Sequence, residues 1–388
     1  MISVSEALDA LFALTSPTGI VEVPLIEAAG RVLARDVAAR RDQPPFAASA
    51  MDGYAVHGAS VQPGARFKVI GESAAGKRFS GSVGPGEAVR IFTGGVVPEG
   101  ADRVVIQEDV RRDGAMITLG DTLDAKAYVR PAGADFATGD TVTAPRRLTP
   151  EDVALLAAMN IATVPVHRAP DVALISTGDE LVMPGETPGA DQIIASNTFG
   201  LHAMLAGLGA APRLLPIAHD SEAALQQSFA LAEGADLVVT IGGASVGDHD
   251  VVAQMMAAGE RAFYKVAMRP GKPLMAGRLG AAMMVGLPGN PVSAMVCGRV
   301  FLAPVVAALQ GLPHAPVERR QMPLAVDLPA GGPREHYMRA RLRDGAVSPF
   351  ESQDSSLLRL LSHADVLLVR PVDDPPRTAG TLVDVLPL

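Results

Sequence analysis

The chain reads as a multidomain α/β plus β protein, and three observations carry that reading. From 171 to about 312, strand-like and helix-like runs alternate, which predicts a doubly wound, mostly parallel sheet. Between about 50 and 140, short β-like runs are separated by glycine and proline turns, which predicts an inserted β-rich domain. Residues 317–388 return to short β runs and predict a C-terminal β-barrel-like domain. The expected division is 1–47 with 139–170 for a mixed α/β connecting domain, 48–138 for the insert, 171–314 for the α/β domain and 315–388 for the last. The first helix could instead pack on the α/β domain. A length of 388 residues suits this, at roughly 100–200 residues per domain.

The elements follow in order. Ser3 and Glu6 have capping-box spacing, and Leu8, Leu11 and Phe12 then share one helical face. A second helix is expected over 25–39, from Leu25, Ala28, Ala29, Val32 and Leu33, ended by Pro44-Pro45. In the insert the β runs are 66–70, 87–92, 103–109 and 115–119. Thr149 is placed to cap a helix that has Pro150 at its first position and runs to Met159. In the alternating region the strands are expected at 172–176, 212–217, 236–241, 262–267 and 281–286. The helices between them are expected at 197–207, 221–232, 249–258 and 292–310. The last domain offers strands at 338–343, 365–370 and 382–386.

Composition narrows the function classes. Hydrophobic residues make up 48% and charged residues 19%, which is globular. An excess of 42 acids over 33 bases argues against nucleic acid as a general partner, but not against a small anion in a local cleft. A single cysteine, Cys297, excludes an intramolecular disulfide, suits a reducing cytoplasm and sits in an apolar run as a core thiol. The N-terminus has acids where a signal peptide has bases, and the apolar stretch 291–309 is broken by Arg299 and Pro304. A cytoplasmic protein with no membrane span is therefore expected.

The polar residues of the alternating region are placed informatively. Ser176-Thr-Gly-Asp-Glu180, His219-Asp220, Gly242–Asp250 and Gly286–Pro291 all follow strand C-termini, where open α/β sheets bind ligands. The turn Gly242-Gly-Ala-Ser-Val-Gly247 can aim backbone N–H groups at an anion. Carboxylates beside such a turn repel a phosphate unless a cation lies between them. The pattern therefore predicts a phosphorylated or oxyanionic ligand with a divalent metal. The window 261–278 adds Arg261, Lys265, Arg269, Lys272 and Arg278 without one acid.

Plainer explanations exist for each residue alone. Asp52-Gly53 is also a tight turn, Asp220-Ser221 a helix cap, Glu180 first-turn chemistry and Asn290-Pro291 a helix start. Gly71–Arg78 approaches the phosphate-loop pattern but lacks the hydroxyl at 78 and a following helix. Gly243-Ala-Ser245-Val-Gly247 spells a nucleophile elbow, so a serine hydrolase using Ser245 is a rival reading. Its histidine would have to be His314, His336 or His363, all in or beside the C-terminal β region.

Three insert motifs stand out: Ser49-Ala-Met-Asp-Gly-Tyr-Ala-Val56, Phe92-Thr-Gly-Gly-Val-Val-Pro-Glu-Gly-Ala-Asp102 and Arg130-Pro-Ala-Gly-Ala-Asp135. With Ser176–Leu181, Gly242–Gly247, Arg269-Pro-Gly-Lys-Pro273 and Gly286-Leu-Pro-Gly-Asn-Pro-Val-Ser293, the chain resembles the molybdopterin molybdenumtransferases, the family that includes the E domain of gephyrin. The resemblance runs almost end to end. It implies an elongated four-domain subunit in a homodimer, with the cleft shared between one subunit's α/β domain and its partner's insert. The implied reaction ligates molybdate to the dithiolene of adenylylated molybdopterin, with loss of AMP and a need for Mg²⁺.

By resemblance, Glu180, Asp220 and Asp250 hold the Mg²⁺, and Lys265 and Arg269 face molybdate with a hydroxyl from Ser293. Asp52, Thr93 and Asp135 close the cleft from the other subunit. Gly242, Gly243, Ser245, Gly247 and Lys272 bind the phosphates, and Thr177, Gly178, Asp179, Ser196, Asn197, Pro288, Gly289 and Asn290 complete the substrate-binding set. A molybdopterin adenylyltransferase and recipient molybdoenzymes are the further partners implied.

The chain departs from the family pattern at Arg269 for the common Lys, Gly95 for Ala, and Asp354-Ser355 for Gly-Ser. The last departure leaves the role of the C-terminal domain open. Two neighbouring readings remain beside the hydrolase. One is the adenylyltransferase itself, which goes with a Gly-Gly-Thr-Gly loop and a smaller chain. The other is a pterin-holding scaffold without turnover.

Overall fold

The structure is a computed structural model that describes residues 1–243, 252, 260–280 and 282–388. The first helix, Val4–Leu14, starts from a complete capping box: Ser3 Oγ accepts the Glu6 N–H, and Glu6 accepts the Ser3 N–H at 2.7 Å. Its buried face (Val4, Ala7, Leu8, Leu11, Phe12) joins the core of the α/β region and not that of the connecting sheet.

The connecting sheet is four-stranded, in the order Ile20–Pro24, Thr163–His167, Val32–Leu33, Arg146–Arg147. The helix expected over 25–39 is absent. A single 3₁₀ turn, Leu25–Glu27, is followed by strands Val32–Leu33 and Val37–Ala38. Gly30 takes φ +76°, which ends any helix there, and the fully buried Leu33 pairs with Val166 and Arg146 instead. Tertiary pairing overrides the apolar spacing. Thr149 and Asp152 cap helix Pro150–Ala158 as the spacing predicts.

Residues 53–119 form a six-stranded sheet, in the order Arg103–Ile106, Gly53–Val56, Glu87–Ile91, Arg66–Ser73, Met116–Leu119, Val110–Asp113. Strand Gly53–Val56 escaped the sequence reading. Its first residue must be glycine, because a Cβ there would lie 2.0 Å from the Val105 carbonyl oxygen. That close approach seats the preceding Asp52 at the sheet's end.

The α/β region has a six-stranded sheet, in the order Ala211–Leu214, Asp171–Ser176, Leu237–Ile241, Ala282–Leu287, Met275–Leu279, Glu260–Tyr264. The first four strands are parallel and the last two antiparallel. Strand residues alternate between two cores. Leu174, Val239 and Val285 face helices Val4–Leu14, Asn197–Gly207 and 291–309, whereas Ile175, Val238 and Met284 face helix Glu222–Leu231 and Val252. The sheet is therefore doubly wound, as expected.

Pro291–Leu309 is the one described helix long and apolar enough to cross a membrane, and most of it is buried inside the protein. Cys297 within it is fully buried, and burial pushes its thiol well above the usual range.

The C-terminal sheet runs Met268–Arg269, Glu335–Arg343, Val366–Arg370, Leu382–Pro387, Arg320–Pro323, with Ala346–Pro349 on Glu335–Arg343. A bridge from Leu324 to Val347 closes it, which makes the region barrel-like. Asp374, 3% exposed, is gripped by Arg370 and Arg377 at one end. Burial alone would raise its carboxyl, but the hydrogen bonds from Arg377 and Arg370 outweigh this and hold it below the ordinary range.

Candidate active site

The cleft is built on the carboxyl ends of three adjacent parallel strands, Asp171–Ser176, Leu237–Ile241 and Ala282–Leu287. Their ends lie side by side, with Ser176 opposite Ile241 and Ile241 opposite Leu287, so the loops that follow must meet. A cavity of about 800 Å³ opens there. Thr177, Gly178, Glu180, Asp220, Gly242 and Gly243 line it, together with Ser196, Asn197, Pro288, Gly289 and Asn290.

Its floor is glycine because nothing larger fits. Gly242 has φ +98°, and a Cβ there would sit 2.5 Å from the Thr177 carbonyl oxygen. Gly243 has φ +60°, and a Cβ would meet Val252 at 2.8 Å and Thr177 Oγ1 at 3.1 Å. Thr177 is 4% exposed, and its hydroxyl has no hydrogen-bond partner among the described residues. A buried polar atom left unsatisfied costs stability, and on a cavity wall this hydroxyl is free to meet a ligand atom. Across the floor, Asn197 Nδ2 donates to the Gly289 carbonyl at 2.7 Å and ties two of the loops together.

The carboxylates set the electrostatics. Gly178 lets Glu180 fold back, since a Cβ at Gly178 would lie 2.5 Å from Glu180 Oε2. Asp179 Oδ1 lies 2.9 Å from His219 Nδ1 and accepts the Asp220 N–H at 3.3 Å, and these contacts hold Asp179 below the usual carboxylate range. Asp220 is shifted the other way. Burial raises it first, and the charges of Asp179 and Glu180 raise it further.

Glu180 and Asp220 therefore face one cavity as mutually repelling oxygen donors, and neither side chain has a described partner. Hard oxygen donors in that state suit Mg²⁺. Among the described residues no three His, Cys, Asp or Glu side chains form a complete cation site. The third expected ligand, Asp250, lies outside the described residues, as do Ser245 and Gly247.

Other expected residues are not brought to the cavity. Asp179 points away toward His219, and Ser293 is 4% exposed on the first turn of helix Pro291–Cys297. Lys265 has φ +72° and lays its Nζ 4.7 Å from the centre of the Tyr264 ring. Arg269 belongs to the C-terminal sheet beside His336, and of the loop 269–273 only Pro273 lines the cavity, without Lys272. The basic window 261–278 is thus spread out: Arg278 reaches the other end of the sheet, where its Nη2 donates to the Leu14 carbonyl.

Asp52 Oδ1 accepts the Thr93 N–H and hydroxyl, each at 2.8 Å, which lowers its carboxyl and fixes a separate polar corner. Neither Asp52, Thr93 nor the exposed Asp135 lines this chain's own cavity. None of the histidines that a hydrolase needs lines the cavity: His314 stacks on Phe12 at 4.9 Å, His336 is half-buried in the C-terminal sheet, and His363 is exposed after helix Leu358–Ser362.

Sequence reasoning missed an apolar wall, Leu181, Ile193, Ile194 and Ala195, formed with the two-stranded pair Leu181–Val182 and Ile193–Ile194. Ile193 is 58% exposed, and the readable signal was the apolar pair Ile193-Ile194 directly after the Pro- and Gly-rich polar run 184–192. It also missed Ser356, which comes from the C-terminal region. The polar run Glu351–Ser356 was the only hint of that contact.

Fold and cleft together define a multidomain α/β plus β protein with a polar, glycine-floored cleft at the carboxyl edge of its parallel strands. Family models match three stretches: "MoeA N-terminal region (domain I and II)" at 2–160, "Probable molybdopterin binding domain" at 173–308 and "MoeA C-terminal region (domain IV)" at 321–388. The molybdopterin molybdenumtransferase of Haemophilus influenzae is 40% identical over 76% of this chain and 74% of that protein. The one from Nostoc sp. is 35% identical over 94% of this chain and 88% of that protein. A crystal structure of the molybdopterin biosynthesis MoeA protein from Pyrococcus horikoshii superposes with a TM-score of 0.87 at 26% identity, covering all of both chains. The chain belongs to the molybdopterin molybdenumtransferase family, and it is a transferase of molybdenum cofactor biosynthesis.

Proposed function

We propose that this chain ligates molybdate to the dithiolene of adenylylated molybdopterin and releases AMP in a Mg²⁺-dependent step. One observation carries the reading: a glycine floor, an orphaned hydroxyl and two repelling carboxylates meet in a single cavity. An adenylylated pterin brings a phosphoanhydride, which takes backbone donors at a glycine turn and needs its charge offset.

Glu180 and Asp220, with Asp250, are the residues that would hold Mg²⁺. Bound there, the ion supplies charge neutralisation at the phosphate oxygens. The chain's own groups do the rest. Gly242 and Gly243 let the phosphates approach the backbone, and Thr177 offers its hydroxyl. Leu181, Ile193 and Ile194 give a flat apolar wall for a ring. Asn197 keeps the loops at 197 and 289 in register.

A homodimer completes the proposal. Asp52, Thr93 and Asp135 of one subunit would close the cleft of the other, which accounts for an ordered polar corner lying apart from its own chain's cavity. Incubating purified protein with adenylylated molybdopterin, molybdate and Mg²⁺ tests the reaction. The expected result is AMP and molybdenum cofactor appearing together. AMP release without cofactor, or neither product, refutes it.

A further inference from the structure

One wall of the cleft is contributed by the C-terminal barrel. Ser356, on the loop between strand Ala346–Pro349 and helix Leu358–Ser362, lines the cavity beside Asn290 and Pro291. Its neighbour Ser355 is locked to the loop that ends the α/β strand. The Val292 N–H donates to the Ser355 carbonyl at 3.1 Å, and Asn290 Nδ2 donates to Ser355 Oγ at 3.2 Å. Asn290 makes no cap bond to its own helix with that side chain. Asp354, which departs from the family's usual glycine, accepts both the N–H and the hydroxyl of Ser356, at 2.8 and 2.7 Å. The loop therefore reaches the cleft in spite of that substitution.

One side chain fixes the loop to the barrel. Gln353 Oε1 accepts the Arg339 N–H at 2.9 Å and Arg339 Nε at 3.3 Å. Gln353 Nε2 donates to the Arg339 carbonyl at 3.0 Å and to the Phe350 carbonyl at 2.9 Å. Gln353 thus satisfies both main-chain groups of Arg339, as a neighbouring strand would. Arg339, 1% exposed, reaches on to the Leu357 carbonyl at 3.3 Å. Gln353 and Arg339 thus anchor the loop at the barrel and Ser355 anchors it at the cleft, with the backbone of 353–356 joining the two sets of bonds. A short loop tied down at both ends holds the groups between its anchors in place.

We infer that Gln353 is a positioning residue for the anionic substrate: through the loop 350–357 it sets the hydroxyl-bearing wall that a tetrahedral oxyanion or a phosphate meets beside Asn290. This rests on the proposed function for the identity of the anions, but not for the anchored loop itself. Nothing in the residue's type advertises the role, since Gln353 neither lines the cavity nor carries charge.

The test pairs Gln353→Leu, which removes all four hydrogen bonds at similar volume, with Ser355→Ala at the loop's other anchor. In turnover, Gln353→Leu raises the KM for molybdate or for the adenylylated pterin about fivefold, the worth of about one hydrogen bond, with kcat within about twofold of wild type. The substrate whose KM moves is the one seated against the loop. Ser355→Ala moves the same KM, and the double variant moves it no further, because both act by fixing the same short loop. Additive effects, unchanged KM values, or kcat falling in proportion to stability overturn the inference. Should Gln353→Leu fail to fold, Gln353→Glu keeps the two acceptor bonds and loses both donations. An intermediate KM shift supports the role, and no shift in that folded variant overturns it. Equilibrium binding of molybdate alone and of AMP alone, in the same variants, separates the two ideas. If wild type binds the anions but does not turn over, the reaction fails while the positioning role is still decided by whether Gln353→Leu weakens binding.

Discussion

The α/β sheet carries a cavity at each end, of nearly equal size and opposite character. The one at the carboxyl edge holds about 800 Å³, and the one at the amino edge, lined by Leu14, Thr18, Arg168, Phe229, Asp236 and Arg278, holds about 760 Å³. At the amino edge both arginines are engaged. Arg168 pairs with Asp236 at 2.7 Å, Asp236 also accepts the Asp171 N–H, and Arg278 donates to the Leu14 carbonyl. At the carboxyl edge Glu180 and Asp220 repel each other, and Thr177 has an orphaned hydroxyl. Volume does not mark a site. What sets the carboxyl edge apart is a carboxyl raised by burial and by its acidic neighbours, beside a buried hydroxyl with no described partner.

The largest expected effect is at that raised carboxyl. Asp220→Ala should lower Mg²⁺-dependent AMP release on the order of 10²-fold or more, the scale of removing one electrostatic contact to developing charge, with the unfolding midpoint unchanged or raised. Wild-type turnover in that variant would break the comparison at its strongest point. Next is Thr177→Val, which swaps an orphaned hydroxyl for a methyl of similar shape. Stability should hold or rise, while substrate KM rises about fivefold to tenfold, the worth of one hydrogen bond. A loss of stability with KM unchanged would mean that the hydroxyl serves the fold.

A half-buried titratable group away from both cavities sharpens the contrast. His336 is pushed down from 6.5 to about 4, by burial first and then by Arg269, Arg370, Arg334 and Arg339. Its folded form binds fewer protons than its unfolded form between those values, so its neutral state contributes stability fully above pH 6.5. That contribution is lost as pH falls toward 4. Denaturant melts from pH 7 to 4 should show this slope, and His336→Gln should flatten it. An identical slope in the variant would remove His336 as the cause. The smallest effect belongs to the amino edge. Arg168→Ala should leave kcat and KM unchanged and cost about 0.2–1 kcal/mol in denaturant melts, since the Arg168 side chain is 44% exposed. A kinetic defect there would show that the two ends are coupled.

Much of the carboxyl-edge cleft was legible in the sequence for a geometric reason. Ser176–Glu180, Asp220, Gly242-Gly243 and Pro288–Asn290 each follow an apolar strand, and adjacent parallel strands end together. The doubly wound sheet could be read from the same alternation. What failed was information that no local window holds. Val32 and Leu33 have helical spacing with Leu25 and Ala28, yet they pair as strands because Gly30 turns the chain toward Val166. Lys265, Arg269 and Arg278 read as one basic patch, but an antiparallel hairpin and a strand annexed to the barrel carry them apart. Ser356 and Gln353 depend on how the last domain packs, which their neighbours in sequence do not encode.

On the proposed reaction, Glu180 and Asp220 stay uncompensated until a divalent cation and a phosphate lie between them. Titrating Mn²⁺, as a paramagnetic substitute for Mg²⁺, into wild type and into Glu180→Gln with Asp220→Asn tests it directly, in the presence of AMP. The account predicts one saturable site in wild type and its loss in the double variant, with the fold intact. Equal Mn²⁺ binding in both proteins would contradict it.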